Sequence, residues 1–237
     1  MPGVLSSALA GGSRAYVPYV WESLPSVVNL RADEKWWLNT VTSRRLLLDL
    51  VSSTGAQGVA VDVVHPADWA ALTDGGDTEQ FADDVLEDSS VAAALDALKR
   101  LVPTMPGPVL GVLPDIRPLE TAMDSDLLSD ALCDLSRGAM AAGLAGIVVL
   151  GQQADSSVVA RVVRIADNFG CPVLSLGPAI GAVDEVGNAA SWALTRADAD
   201  GVAAVDGAAV AGVVLTPGDV SAVWSRAEIA AFGSIQA

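Results

Sequence analysis

The sequence predicts an α/β protein: a shortened or distorted TIM-like (β/α)8 barrel, with an open doubly wound parallel sheet as the alternative. Three observations lead there. Short β-branched runs alternate with longer amphipathic stretches along the chain, the rhythm of helices covering a parallel sheet. The run Gly58-Val-Ala-Val-Asp-Val-Val64 is apolar at nearly every position, as a strand buried on both faces must be. No shift in composition marks a boundary, and the proline-rich stretch 103–108 falls inside one strand–helix unit. Residues 1–237 therefore read as one barrel-like domain.

Each element has a local reason. Tyr16-Val-Pro-Tyr-Val-Trp21 reads as the first strand. A helix follows over Glu34–Ser52, with Trp37, Val41, Leu47, Leu48 and Val51 near helical spacing and Asp33 as its N-cap. Gly58–Val64 is the second strand, and 66–72 form a short helical turn. Asp74-Gly-Gly-Asp77 is a loop. Thr78–Leu86 and Ser89–Val102 read as helices, with Ser90 capping the latter. Val109-Leu-Gly-Val-Leu113 is a strand, and Leu119–Gly143 is helical with a break near Asp124-Ser-Asp126. Gly146-Ile-Val-Val-Leu150 is a strand, Ser156–Asn168 a helix with Gly170 as C-cap, and Pro172-Val-Leu-Ser-Leu176 a strand. Val183–Thr195 fits helix or strand, and Val202–Val205 is ambiguous. Ala211–Leu215 is a strand and Ser221–Phe232 a final helix.

Composition excludes several classes of function. The apolar half of the chain, 51%, is enough for a sizeable core. A net charge of −16 repels phosphate backbones and anionic lipid. The expectation is no nucleic-acid and no membrane partner. No stretch reaches the roughly 18 uninterrupted apolar residues of a membrane span. The opening Met1–Ala10 has no basic leader, so it does not read as a secretory signal. Cys133 and Cys171 supply neither a disulfide framework nor a four-ligand zinc set, and a reducing cytoplasm fits best. No metal site is expected, and the sequence leaves any cofactor unknown: the G-x-x-x-x-G-K-[ST] loop, the dinucleotide fingerprint and the G-x-S-x-G elbow are missing, and Gly75-Gly76 follows a helix-like segment rather than a strand.

In parallel α/β folds ligands bind beyond the carboxyl ends of the strands. Trp21 and Glu22 follow the first strand, and His65 and Asp68 the second. Asp115 and Arg117 follow the third, Gln152 and Gln153 the fourth. Asp62 is the most informative, because a carboxylate inside an apolar strand is costly unless paired. It reads as a general acid/base, or as a structural acceptor of backbone N–H groups. His65, the single histidine, reads as a proton shuttle or as a loop residue extended before Pro66. Arg117 binds a substrate carboxylate through its planar fork, or pairs with Asp115 or Glu120. Trp21 and Glu22 form a binding wall with a carboxylate, or Trp21 is core. Trp36-Trp37 reads as packing, and both cysteines read as small core residues.

Three blocks carry a family resemblance: Gln57–Val64, Pro108-Val-Leu-Gly-Val-Leu-Pro-Asp-Ile-Arg-Pro-Leu-Glu-Thr-Ala-Met123, and Ala139-Met-Ala-Ala-Gly-Leu-Ala-Gly-Ile-Val-Val-Leu-Gly-Gln152. With the opening Arg14-Ala-Tyr-Val-Pro18, their order resembles the uroporphyrinogen decarboxylase superfamily, which includes cobalamin-independent methionine synthase and corrinoid methyltransferases. The resemblance implies a barrel and spans most of 14–153. Asp62 alone carries over residue by residue. The arginine-rich loop after the first strand has only Arg31 here, nothing after His65 is histidine, and the His-x-Cys of the zinc methyltransferases is missing. The chain is also shorter than typical members, which implies trimmed last units.

The resemblance therefore implies a relative with a different substrate, not heme-pathway decarboxylation itself. The expected function is a lyase-type decarboxylation or C1 (methyl) transfer on a small carboxylated or C1-donor molecule. Asp62 and His65 would be catalytic, and Trp21, Glu22, Asp115, Arg117 and Gln152 would bind substrate. The alternative is a non-catalytic barrel that serves as a subunit or scaffold of a homo- or hetero-oligomer.

Overall fold

The computed structural model describes residues 15–19, 21, 24–27, 35–73, 85–116, 124–150 and 156–176, together with strands Val183–Glu185, Ser191–Leu194 and Val213–Thr216. The chain is an α/β protein whose centre is a four-stranded parallel sheet. Its strands are β2 (Val59–Asp62), β3 (Val109–Leu113), β4 (Gly146–Leu150) and β5 (Val173–Leu176), paired in that order. Every residue of β2, β3 and β4 is buried, which explains why these runs carry almost nothing but apolar side chains. Asp62 lies opposite Val112, Leu113 opposite Val149, and Leu150 opposite Leu176. The carboxyl ends of the four strands therefore share one edge.

Outside that sheet the strand direction changes. β6 (Val183–Glu185) is antiparallel to β5 and to β7 (Ser191–Leu194). β7 and β8 (Val213–Thr216) are parallel, as are β8 and β1 (Ala15–Pro18). The uniformly parallel repetition expected from the sequence is thus broken at β6. The cause is chain length. Residues 177–182 join β5 to β6 and 186–190 join β6 to β7, whereas a parallel crossover takes a dozen residues or more. The link 195–212 between β7 and β8 is long enough, and those strands are parallel. At the far side, Tyr19 bridges Ala60 in parallel fashion, bringing the end of β1 beside β2.

Among the described residues the α-helices are α1 (Leu24–Val27), α2 (Thr40–Thr54), α3 (Pro66–Thr73), α4 (Ser89–Leu101), α5 (Ser125–Ala141) and α6 (Ser157–Asp167). α5 packs on β3 and β4, α6 on β4 and β5, and the two helices pack on each other. α2 packs against α1 and α4, burying Leu46, Leu47 and Leu50.

The helix starts correct the sequence reading in two places. The single helix expected from Glu34 is instead a 3₁₀ turn, Trp36–Leu38, followed by α2. The cap of α2 is Asn39, whose Oδ1 accepts from the N–H groups of Val41 and Thr42, both at 3.2 Å; Asp33 lies outside the described residues. The cap of α4 is Asp88, not Ser90. Its Oδ1 accepts from the Ser90 and Val91 N–H groups at 2.7 and 3.3 Å and from the Ser90 hydroxyl at 2.6 Å. Burial alone would raise the Asp88 pKa, but these donors outweigh it and hold the carboxyl below its ordinary value.

At the end of α6 the C-cap is Asn168, and Gly170 sits beyond it in the left-handed region (φ 62°). There the Cys171 N–H reaches back to the Ala166 carbonyl at 3.1 Å, a Schellman-type closure. The residues 74–77, 78–84, 119–123, 202–205 and 221–232, which carry several of the sequence expectations, lie outside the described residues.

Candidate functional site

The carboxyl ends of β1 and β2 bring together two polar pairs and a chain of aromatic rings. Asp62 closes β2 and is buried. The Tyr19 hydroxyl, also buried, donates to its Oδ1 at 2.5 Å, a length typical of charge-assisted O–H···O bonds. The two residues are 43 apart in sequence. They meet because Tyr19 bridges Ala60, two residues before Asp62 on the same strand. The pair therefore fastens the end of β1 to the carboxyl end of β2.

Three residues past Asp62, His65 stands immediately before α3. Its carbonyl accepts from the Asp68 and Trp69 N–H groups, both at 2.9 Å, and its Nδ1 accepts from the Ala67 N–H at 3.2 Å. Nδ1 is thus an acceptor, which puts the proton of the neutral ring on Nε2. The Trp37 indole lies flat on the imidazole, centroids 3.6 Å apart and planes 7° from parallel. Burial pushes the His65 pKa down to about 4, with Asp68 pulling it up and Lys35 adding to the depression. At neutral pH the imidazole is therefore uncharged.

Asp68 holds the turn above. Its Oδ1 accepts from Lys35 Nζ at 3.0 Å and its Oδ2 from Trp37 Nε1 at 2.9 Å. Lys35 has φ 56° and ψ 31°, a left-handed conformation that costs a non-glycine residue ~1–2 kcal/mol. Trp37 meets Trp36 edge-on at 6.1 Å, and Trp36 packs on Trp21 at 4.7 Å.

The residues expected at the site divide into three groups. Asp62, His65 and Trp21 lie at the ends of β1 and β2. Trp21 is buried against Trp36, as a core tryptophan would be, yet among the described residues its buried Nε1 has no hydrogen-bond partner. Asp115, half-buried, stands two residues beyond β3 on the same edge. Glu22, Arg117 and Gln152 lie outside the described residues.

Comparison with protein-family models and with curated proteins finds no match to this chain. The site rests on its geometry.

Three residues of that geometry were not among those the sequence singles out for the site: Tyr19, Lys35 and Trp37. Asp68 stands out as a polar residue just past a strand. For Tyr19, Lys35 and Trp37 no local pattern announces a partner 31 to 43 residues away. Cys133 is buried and Cys171 half-buried, and both are free. Burial raises both thiol pKa values, so they are protonated at neutral pH. Among the described residues no helix is long and apolar enough to cross a membrane, and no three His, Cys, Asp or Glu side chains group as a metal site would.

Proposed function

We propose that the chain is a uroporphyrinogen decarboxylase-like enzyme that binds a small carboxylated or C1-donor molecule at the carboxyl ends of β1–β3. The reaction class is lyase-type decarboxylation or methyl transfer. The observation that carries this reading is the buried Tyr19–Asp62 pair. It places a carboxylate at the mouth of an otherwise apolar strand, where parallel α/β proteins bind ligands. Asp62 is the acid/base or charge-stabilising group, and Tyr19 fixes its orientation. His65, uncharged at neutral pH, offers substrate an Nε2–H donor. Trp21 adds a buried N–H with no acceptor among the described residues. Such a group costs about 1–3 kcal/mol, and a ligand oxygen would recover it. Arg117 is the proposed carboxylate anchor, with Glu22, Asp115 and Gln152 completing the mouth.

The architecture belonging to this reading is a closed barrel. It is supported by the strand order β1-β8-β7-β6-β5-β4-β3-β2 together with the Tyr19–Ala60 bridge between the two outermost strands. The antiparallel β6 is its distortion.

The second reading, a non-catalytic subunit or scaffold, is favoured by one specific observation. The same polar groups also serve the fold: Asp62 ties β1 to β2, His65 caps α3 and Asp68 anchors the 35–38 turn. A thermal-shift screen of small carboxylic acids and methyl donors against wild type and Asp62→Asn separates the two. Native-state ligands raise the melting temperature. The enzyme reading expects a compound that shifts wild type and not the variant. A panel that shifts neither protein, with an assembled oligomer by light scattering, favours the scaffold.

A further inference from the structure

The His65 ring is held by two contacts that act in different directions. In its plane, Nδ1 accepts the Ala67 N–H at 3.2 Å. Along its normal, the Trp37 indole lies flat on it, centroids 3.6 Å apart. A bond in the plane and a ring on the face together oppose both rotations of the imidazole side chain. The indole is fixed in turn. Its Nε1–H donates to Asp68 Oδ2 at 2.9 Å, its ring meets Trp36 edge-on, and it packs against the hydrophobic core. The Asp68 side chain is only 7% exposed, so little water competes for that bond. Its other oxygen is taken by Lys35 Nζ at 3.0 Å, which leaves the carboxylate no free turn. Asp68 also donates its backbone N–H to the His65 carbonyl at 2.9 Å. The contacts close a circuit: His65 carbonyl to Asp68 backbone, Asp68 carboxylate to Trp37, and Trp37 ring back to the His65 ring.

We propose that Asp68 is a positioning residue: through the Trp37 indole it fixes the plane and the tautomer of His65, so that Nε2–H is a hydrogen-bond donor of one set direction. If the ring turned over about its outer bond, Nδ1 would leave the Ala67 N–H and the imidazole would populate both tautomers. The stack opposes that turn, and the Asp68 acceptor holds the stack. The consequence is a selection. The ligand group that His65 meets is an acceptor such as a carboxylate oxygen, and an N–H donor is refused there because two donors would face each other. This selection rests on the proposed function, in which His65 meets the ligand. The arrangement itself does not, and it is measured on the free protein.

His65 is the only histidine, so its ring signals are unambiguous in NMR spectra of the full chain. The spectra are taken in mildly alkaline solution, where an ordinary imidazole is also neutral. Wild type is expected to show His65 ring protons displaced upfield by the indole face, and ring nitrogens in the pattern of a single Nε2–H tautomer. Asp68→Ala and Asp68→Leu remove the acceptor. Each is expected to lose more than half of the upfield displacement and to show nitrogens averaged between tautomers. Asp68→Asn keeps an oxygen for the indole N–H and is expected to restore both signatures. An Asp68 that serves the fold alone would change the melting temperature and leave the ring signals as in wild type. That result in a folded Asp68→Ala or Asp68→Leu protein overturns the proposal, as does an Asp68→Asn protein that matches Asp68→Ala. Averaged nitrogens in wild type overturn it at the outset. Circular dichroism confirms the fold, and one folded variant without the acceptor decides. If neither folds, Asp68 serves the fold rather than His65 and the proposal falls. None of these signals requires a ligand, so a failed ligand screen and a failed positioning role are read separately.

Discussion

Asp62 is legible in the sequence because a carboxylate in an apolar run conflicts with its surroundings. Its partner is not, because nothing near Tyr19 signals a residue 43 positions away. Removing the Tyr19 hydroxyl takes a donor from a buried carboxylate, a change that costs about 1–3 kcal/mol. Tyr19→Phe is therefore expected to lower the urea-unfolding free energy by that amount. A loss within experimental error would show that the hydroxyl contributes nothing to holding Asp62.

His65 gives a pH prediction. Its pKa falls from the ordinary 6.5 to about 4 on folding. Between those values the unfolded chain holds a proton that the folded chain does not, so stability rises with pH in that window. The contribution is full above pH 6.5 and is lost as pH falls toward 4. The ring is half-buried, so solvent screening reduces the effect to on the order of 1–2 kcal/mol. Urea titrations at pH 7 and 4.5 should show a smaller loss for His65→Gln than for wild type. Equal losses would place His65 in an unperturbed environment.

At the level of elements, what sequence reading recovers depends on whether a local rule is also the winning one. β2, β3 and β4 are recovered because strands buried on both faces leave little choice of residue. The helix expected from Glu34 is displaced because the two adjacent tryptophans serve different neighbours, Trp36 the core and Trp37 His65, which a 3₁₀ turn allows. Asp88 wins over Ser90 as a cap because its carboxylate reaches two N–H groups and the Ser90 hydroxyl at once. The direction of β6 follows from loop length, a signal present in the sequence but usable only once the strand ends are fixed.

The start of β2 also demands a glycine for a reason no pattern reveals. A Cβ on Gly58 would come within 2.6 Å of the Pro108 carbonyl oxygen, backbone that also accepts the Val59 N–H at 3.0 Å. A Cβ on Gly55, at φ +69°, meets nothing within 4 Å. Gly55→Ala is expected to cost ~1–2 kcal/mol from backbone conformation alone. Gly58→Ala should cost more, about 3 kcal/mol, because two strands must separate. Chemical denaturation of both variants checks the order, and a Gly58→Ala protein as stable as Gly55→Ala would mean the β2–β3 junction is looser than described.

Over the whole molecule, the common direction of β2 to β5 turns scattered polar residues into neighbours. Asp62 and Asp115 come from different strand ends, and register alone places them on one edge. That much follows from the sequence once a parallel sheet is inferred. The aromatic cover over His65 does not, since it depends on how the 35–38 turn folds back across the mouth. The most direct measurement is an amide chemical-shift map of the folded protein on addition of the best compound from the thermal-shift screen. The prediction is that perturbed amides cluster at 62–68 and 113–116, beyond the ends of β2 and β3. Perturbations centred instead on Gly58, Gly146 and Cys171, at the opposite edge of the same sheet, would contradict a site built on Asp62.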